Sequence, residues 1–178
     1  MAPLLPLALT LTLTSLVAPP APDIDAMARQ GHWLEEAWPA HSQLMHKPAP
    51  ALALSGWLNG EVTAQQMKGK IVVIDFWATW CGPCRAAIPH NNELVRKYGP
   101  KGVLLFGACG GGREERMAEV AKADGLTYPT AKVSADSVKG WEVRYWPTYA
   151  ILDRKGEVRA LGIKPAAVEP ILEALLAE

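Results

Sequence analysis

The stretch that most constrains the fold of this chain is Ile71–Pro89, which reads I-V-V-I-D-F-W-A-T-W-C-G-P-C-R-A-A-I-P. Its first half is an apolar, β-branched run without polar alternation, the pattern of a strand covered on both faces. The run turns through Ala78–Trp80 into Cys81 and Cys84, which are followed by helix-forming residues. Cys81 falls at the start of that helix, where unpaired amide N–H groups and the positive end of the dipole favour a thiolate. Cys84 lies less than one turn further on, close enough for the two sulfurs to bond. A strand that feeds C-x-x-C at a helix start is a redox pattern.

The rest of the chain bounds the setting. Its 178 residues allow one ordinary domain plus extensions. Lys plus Arg number 18 and Asp plus Glu number 18, so no net field argues for nucleic acid or an anionic membrane. Three cysteines are too few for a disulfide scaffold and fit one working pair plus an odd thiol, Cys109. Leu4–Val17 is apolar and uncharged, the length of a signal-peptide core and short for a membrane span. No Lys or Arg precedes it and no clean A-x-A site follows. A leader cleaved near Ala18 or Ala21, an uncleaved N-terminal anchor and a plain tail are therefore all open, with export the reading preferred. The expected division is a leader over residues 1–21, a linker or N-terminal extension over 22–47, and one catalytic domain over 48–178.

Within that frame, Asp23–Trp38 reads as an amphipathic helix broken by Gly31 and ended by Pro39. His41, Met45 and His46 follow, either a soft copper site or a linker that happens to carry ligands. Ala51–Trp57 is a short strand, Asn59–Gly60 a turn and Thr63–Met67 one helical turn. In the central strand Lys70–Trp77, the side chains of Ile71, Val73, Asp75 and Trp77 point one way and those of Val72, Ile74 and Phe76 the other. The helix from Gly82 to Tyr98 carries Pro89 in its interior, which predicts a kink. Gly102–Ala108 is a second buried strand, ending in Cys109 and three glycines. Helices follow over Glu114–Ala123 and Ser134–Val143. Thr148–Leu152 and Glu157–Leu161 pair through a turn at Asp153–Gly156, and Pro165 opens a last helix, Ala166–Leu175. This order predicts an α/β domain whose central mixed sheet has parallel strands first and an antiparallel hairpin plus helix at the end.

That order, with W-C-G-P-C at Trp80–Cys84, resembles the thioredoxin fold. From about Pro48 onward the chain is similar to exported thiol-disulfide oxidoreductases of the TlpA/ResA type, related to the redoxin and AhpC/TSA proteins. Two segments carry the likeness: the active-site stretch already quoted, and W-P-T-Y-A-I-L-D-R-K-G at Trp146–Gly156. The resemblance implies that Cys81 is the attacking thiol, Cys84 the resolving thiol, and Pro147 a cis-proline facing the dithiol. Base rates alone would make Pro147 trans. It further implies substrate contacts at Trp80, Gly82, Pro83 and Trp146, and no cofactor or metal beyond a redox-active Cys81–Cys84 disulfide. A monomer is implied that reduces disulfides of exported proteins and draws electrons from a membrane or periplasmic thiol donor. The chain departs from the group at two places, having Asp75 where Asn is frequent and Ala87 where a helix Glu is frequent.

Several residues keep two readings. Asp75 is either the proton acceptor for Cys84, helped by a pKa raised in an apolar strand, or an aspartate with a structural role. Trp77 and Trp80 either shield the dithiol or are core packing, and Arg85 either supports the thiolate or is a surface cation. Cys109 is a third redox thiol or a small buried hydrophobe. Glycines 110–112 match no phosphate fingerprint and read as a flexible turn, and His90 as a surface residue. The Gly-Pro pair between the cysteines favours a reductant over an oxidant. Two rival functions remain: a copper chaperone on the same fold, and a thiol peroxidase using Cys109.

Overall fold

A run such as Ile71–Trp77 has no solvent face, so its backbone must be paired on both sides and its side chains covered above and below. The structure, a computed structural model that describes residues 21–178, meets both demands. Among the described residues one sheet is built from β1 Leu54–Leu58, β2 Ile71–Trp77, β3 Val103–Cys109, β4 Thr130–Val133, β5 Thr148–Leu152 and β6 Val158–Ile163, in the order β1-β4-β3-β2-β5-β6. The central β2 pairs parallel with β3 and antiparallel with β5. Next to them β4 runs parallel to β3, and the edge strands β1 and β6 are antiparallel to β4 and β5. The helices are α1 Ile24–Gly31, α2 Trp38–Ser42, α3 Ala64–Met67, α4 Gly82–Tyr98, α5 Met117–Ala123, α6 Ala135–Gly140 and α7 Pro165–Ala177.

The alternation along β2 sorts two cores. Ile71, Val73 and Trp77 pack with Cys84, Ile88 and Leu94 of α4 and with Ile171 and Leu172 of α7. Val72, Ile74 and Phe76 pack with Phe106, Trp141 and Leu161 on the other face. The expected mixed sheet and closing hairpin are present. Strand β4 is an addition to it, only four residues long and preceded by Pro129. The helix expected from Glu114 begins as a 3-10 turn, Glu114–Arg116, before α5. The helix expected over Ser134–Val143 shortens to α6, with Ser134 as its cap accepting from Ser137 N–H. Pro89 lies inside α4, which continues past it to Tyr98.

The N-terminal part differs most from expectation. The leader over residues 1–21 lies outside the described residues but for its last position. Residues 22–47, expected as a linker or extension, are packed onto the domain. Pro39 does not end a helix there; it sits in the first turn of α2, where its missing N–H costs nothing. Ile24 and Ala28 of α1 are buried with α7, and the segment from Gly31 to Ala49 runs along the outer edge of β6. Hydrogen bonds from Trp33 N to Gly162 O (2.9 Å), Lys164 N to Gly31 O (2.9 Å) and His46 N to Val158 O (2.7 Å) hold it there. An edge strand that would offer unpaired groups to another chain is thus covered. No helix among the described residues is long and apolar enough to cross a membrane.

Gly162 is where the extension comes closest. Its φ of 76° is a left-handed conformation, and a Cβ there would overlap the imidazoles of both His32 and His41. Gly162→Ala is therefore expected to destabilise the protein by about 2–4 kcal/mol through backbone strain and overpacking together. Urea denaturation checks this, and a loss within about 0.5 kcal/mol, the range of neutral surface changes, would mean that the extension does not sit on β6 at this residue.

Candidate active site

The site lies at the end of the sheet where β2 stops. Because β3 is parallel to β2 and β5 antiparallel, the end of β2, the end of β3 and the start of β5 meet at one edge, with Trp77 beside Cys109 and Phe76 beside Thr148. The loop after Trp77 folds back through Cys81 N to Ala78 O (3.1 Å) and delivers Cys81 to the N-cap of α4. The Cys81 sulfur accepts from the Cys84 amide at 3.2 Å, and the two cysteines are joined as a disulfide with Cα atoms 5.3 Å apart. Gly82 and Pro83 fill the first turn of α4 between them, where neither the glycine's missing side chain nor the proline's missing N–H weakens the helix. Both cysteines are buried, at 4% exposed for Cys81 and 1% for Cys84.

The surroundings resolve the double readings. Trp77 is core, its indole N–H donating to Thr130 Oγ1 at 2.9 Å. Trp80 next to Cys81 is 52% exposed, the one large hydrophobic side chain that stands out in solvent among the described residues. Its indole N–H donates to Gly111 O at 3.0 Å. Against the same glycine loop lies the half-buried Trp146 ring, within 2.9 Å of where Cβ atoms at Gly110 and Gly111 would stand. The glycines read from sequence as a flexible turn are therefore the seat of two tryptophans. The Trp146–Pro147 peptide bond is cis, and Pro147 is buried at the start of β5. Arg85 turns to a bidentate pair with Asp124, Nε–Oδ2 at 2.5 Å and Nη2–Oδ1 at 2.8 Å, so its charge is matched there rather than at Cys81. His90 is half-buried and lines an apolar groove of about 430 Å³ with Trp33, Pro83, Ala87 and Pro165.

Under α4 lies the carboxyl group. Asp75 is 1% exposed on the same face of β2 as Trp77. Asn91 Nδ2 donates to its Oδ2 at 2.9 Å, and Tyr128 OH at 3.0 Å. Tyr149 OH closes the group by donating to Asn91 Oδ1 at 3.1 Å. Asp75 Oδ1 is buried without a partner. Burial pushes this carboxyl up to about 7, against the pull of the neighbouring Tyr128, Tyr149 and Asn91. Asn91 shares the buried face of α4 with Cys84 and Ile88, so the helix that carries the dithiol also clasps Asp75. Asn91, Tyr128 and Tyr149 were not foreseen from sequence; each is a single polar residue in a different segment. Cys109 is fully buried, and burial, with Glu114 and Asp75 adding to it, pushes its thiol up to about 12. It is therefore a protonated thiol at neutral pH, which suits neither a peroxidatic nor a third redox cysteine.

The two histidines of the suggested copper site have other partners. His41 is occupied by His32 and by Glu142 O, while His46 meets Asp25 at 3.0 Å. Among the described residues no group of three or more His, Cys, Asp or Glu side chains is placed to hold a metal ion.

Residues 45–161 match the model of the AhpC/TSA family. The chain belongs to the AhpC/TSA family. Within it, this family member is 31% identical over 113 residues to a thiol-disulfide oxidoreductase ResA of Bacillus cereus, covering 63% of this chain and 65% of that protein. It is 30% identical over 117 residues to the thioredoxin-like protein YneN of Bacillus subtilis, covering 65% of this chain and 69% of that one. The chain thus spans about two thirds of the length of these curated relatives. A crystal structure of a putative thiol:disulfide interchange protein DsbE from Chlorobium tepidum superposes with a TM-score of 0.64 at 26% identity, covering 72% of this chain and 96% of that one. The fold is thioredoxin-like.

Asp75 has a measurable consequence. The unfolded chain releases its proton near 3.8 and the folded protein near 7, so in between the folded state binds more protons and stability falls as pH rises from about 4 to about 7. Asp75→Asn is expected to remove this fall and to stabilise the oxidised protein at pH 8, by up to about 4 kcal/mol for a shift of roughly three pH units. Urea denaturation of both proteins across this range gives the difference directly. Parallel curves would show that the carboxyl is not held neutral.

Proposed function

We propose that this protein is a thiol-disulfide oxidoreductase that reduces disulfides of exported polypeptides through a Cys81–Cys84 dithiol/disulfide cycle. The observation that carries this is the placement of Cys81 as N-cap of α4, bonded to a more buried Cys84. The named relatives and the proline loop at the same sheet edge support it.

In the reducing direction the cycle starts from the dithiol. The Cys81 thiolate, favoured by the amides of the first turn of α4, attacks one sulfur of a substrate disulfide. The substrate S–S bond breaks, a mixed disulfide forms and the departing substrate sulfur takes up a proton. Cys84 then loses its proton to Asp75 and attacks Cys81 Sγ. The second substrate sulfur leaves as a thiolate and takes up a proton, Asp75 gives up the one it received, and the Cys81–Cys84 disulfide remains. Two electrons have passed to the substrate, and a thiol donor at the membrane or in the same extracytoplasmic compartment must return two. Asp75 suits the proton step because its buried carboxyl changes charge near neutral pH and its Oδ1 is unengaged. Trp80 and Trp146 form the apolar rim on which a polypeptide settles beside the dithiol, its backbone pairing with that of Trp146 just before the buried Pro147. The Gly-Pro spacer supports a reducing poise.

Insulin-disulfide reduction tests the assignment. Cys81→Ser is expected to reduce turnover to the uncatalysed rate, whereas Cys84→Ser retains the first attack and accumulates a mixed disulfide. Asp75→Asn is expected to slow resolution at pH 7 by about tenfold or more, within the range of a lost general base, with attack little changed; equal slowing of both steps in single-turnover assays would remove Asp75 from the mechanism. The reduction potential should fall near −270 mV, roughly that of thioredoxin. A value above roughly −200 mV would recast the protein as an oxidant or isomerase.

A further inference from the structure

Two imidazoles that the redox cycle leaves unused meet beside the segment leading into Pro147. His32 is 5% exposed and His41 is fully buried, and His32 Nε2 lies 2.8 Å from His41 Nδ1. His41 Nε2 lies 2.9 Å from the carbonyl oxygen of Glu142. A carbonyl only accepts, so His41 carries its proton on Nε2, its Nδ1 accepts, and His32 donates through Nε2–H. With both rings neutral, as their burial favours, they are arranged head to tail, with His32 Nδ1 buried and unpartnered. The residue they hold is itself strained. Glu142 has φ 54°, a left-handed conformation that a non-glycine residue keeps only when its surroundings impose it. A second tie runs in parallel, since Gly162 O accepts from Trp33 N–H at 2.9 Å and from Tyr145 OH at 2.8 Å. Thr148 Oγ1 in turn donates to Tyr145 O at 2.6 Å, on the far side of Pro147.

We propose that His32 and His41 are positioning residues: as a neutral pair bridging the N-terminal extension to Glu142 O, they hold the Glu142–Trp146 segment against β6 and so fix the Pro147 loop for polypeptide substrates. This rests on the reading of that loop as the substrate seat. It assigns the extension a part in turnover rather than only in stability. The charged groups facing the pair are matched among themselves, Arg29 with Glu35 and Glu142 with Arg144, and the Tyr145 ring lies 6.1 Å from that of His41. Burial, helped by His41 and Arg29 and opposed by Glu35 and the Leu34 backbone, brings His32 down to about 4. Burial also lowers His41, with Arg144 adding to it and the Glu142 carbonyl and side chain opposing. The unfolded chain takes up protons first, below about 6.5, so the pair loses stability as pH falls from there toward 4. Protonation of His41 Nδ1 would set two N–H groups against each other and break the bridge.

The test compares kcat/KM for a polypeptide disulfide, insulin, with that for 2-hydroxyethyl disulfide, which needs no docking segment. Ionisation of Cys81 affects both and cancels in their ratio. At pH 7 His41→Ala is expected to lower the ratio about fivefold, the scale of one lost buried hydrogen bond. His41→Gln, whose amide can still donate to Glu142 O, should recover most of it. In the unmodified protein the ratio should fall toward the His41→Ala value as the pH is lowered from 6.5 to 4 and His41 Nδ1 takes up a proton. Equal losses on both substrates, indistinguishable Ala and Gln variants, or a ratio flat with pH would each overturn the proposal, and the pH series decides alone if His41→Ala does not fold. Absence of insulin turnover at every pH, with the small disulfide still reduced, would instead count against polypeptides as substrates.

Discussion

Burial of β2 on both faces is the constraint on which the rest of the structure depends. A strand with every residue covered needs a layer on each side and a partner on each edge. Those partners arrive from opposite directions, β3 parallel and β5 antiparallel. Because of this, one edge of the sheet collects the end of β2, the end of β3 and the start of β5. The dithiol, Cys109 and Pro147 are neighbours for that topological reason, although they lie far apart in sequence. All three cysteines are buried, so position at the helix start distinguishes them. Cys109 shares the edge, yet its thiol is pushed up to about 12, whereas Cys81 stands at a helix start beside an exposed Trp80. The same sheet edge holds an inert thiol and a redox pair.

Asp75 is the exception that β2 tolerates. An ionised carboxylate in that position would carry a large desolvation cost, and the protein lowers it by keeping the carboxyl largely protonated up to neutral pH. The three polar residues around it do not complete its bonding. Asn91 and Tyr128 both reach Oδ2, and Oδ1 remains without a partner. A carboxyl serving structure alone would be expected to have both oxygens engaged. One oxygen held and the other left over is compatible with the proton transfer proposed for Asp75. The absence of an acid on α4 at Ala87 fits this view, since an acid already lies beneath the helix rather than upon it.

What the sequence showed clearly was whatever repeats over several residues or is joined by short spacing. The two faces of β2, the dithiol at the start of α4 and the closing hairpin have that character, and the structure reproduces all three. Strand β4 has four residues with Lys132 exposed among them, too short for alternation to register. The partners of Asp75 come from α4, the loop before β4, and β5, at separations from 16 to 58 residues measured from Asn91 or Asp75. No local pattern links such residues. Glycines 110–112 could be seen but not understood, because what they make room for is a tryptophan distant in sequence. Residues 22–47 look like a linker for a similar reason. Their few apolar positions acquire meaning only against β6 and α7.

The two parts of the chain that lie outside the family match, before residue 45 and after residue 161, are those that close on each other. Ile24 and Ala28 of α1 share a core with Val168, Ile171 and Leu172 of α7, and the segment between α1 and β1 covers the edge of β6. This closure is tied to the segment before Pro147 around Gly162. Gly162 O receives the amide of Trp33 and the hydroxyl of Tyr145, and the missing Cβ of Gly162 leaves space for the His32–His41 pair that reaches Glu142. The extension and the loop before Pro147 are therefore bonded to the same point on β6, so neither can shift without straining the other. A segment that seals a sheet edge is, by that geometry, also a support for the loop before Pro147, and the stability of the edge and the shape of the proposed substrate seat depend on the same bonds.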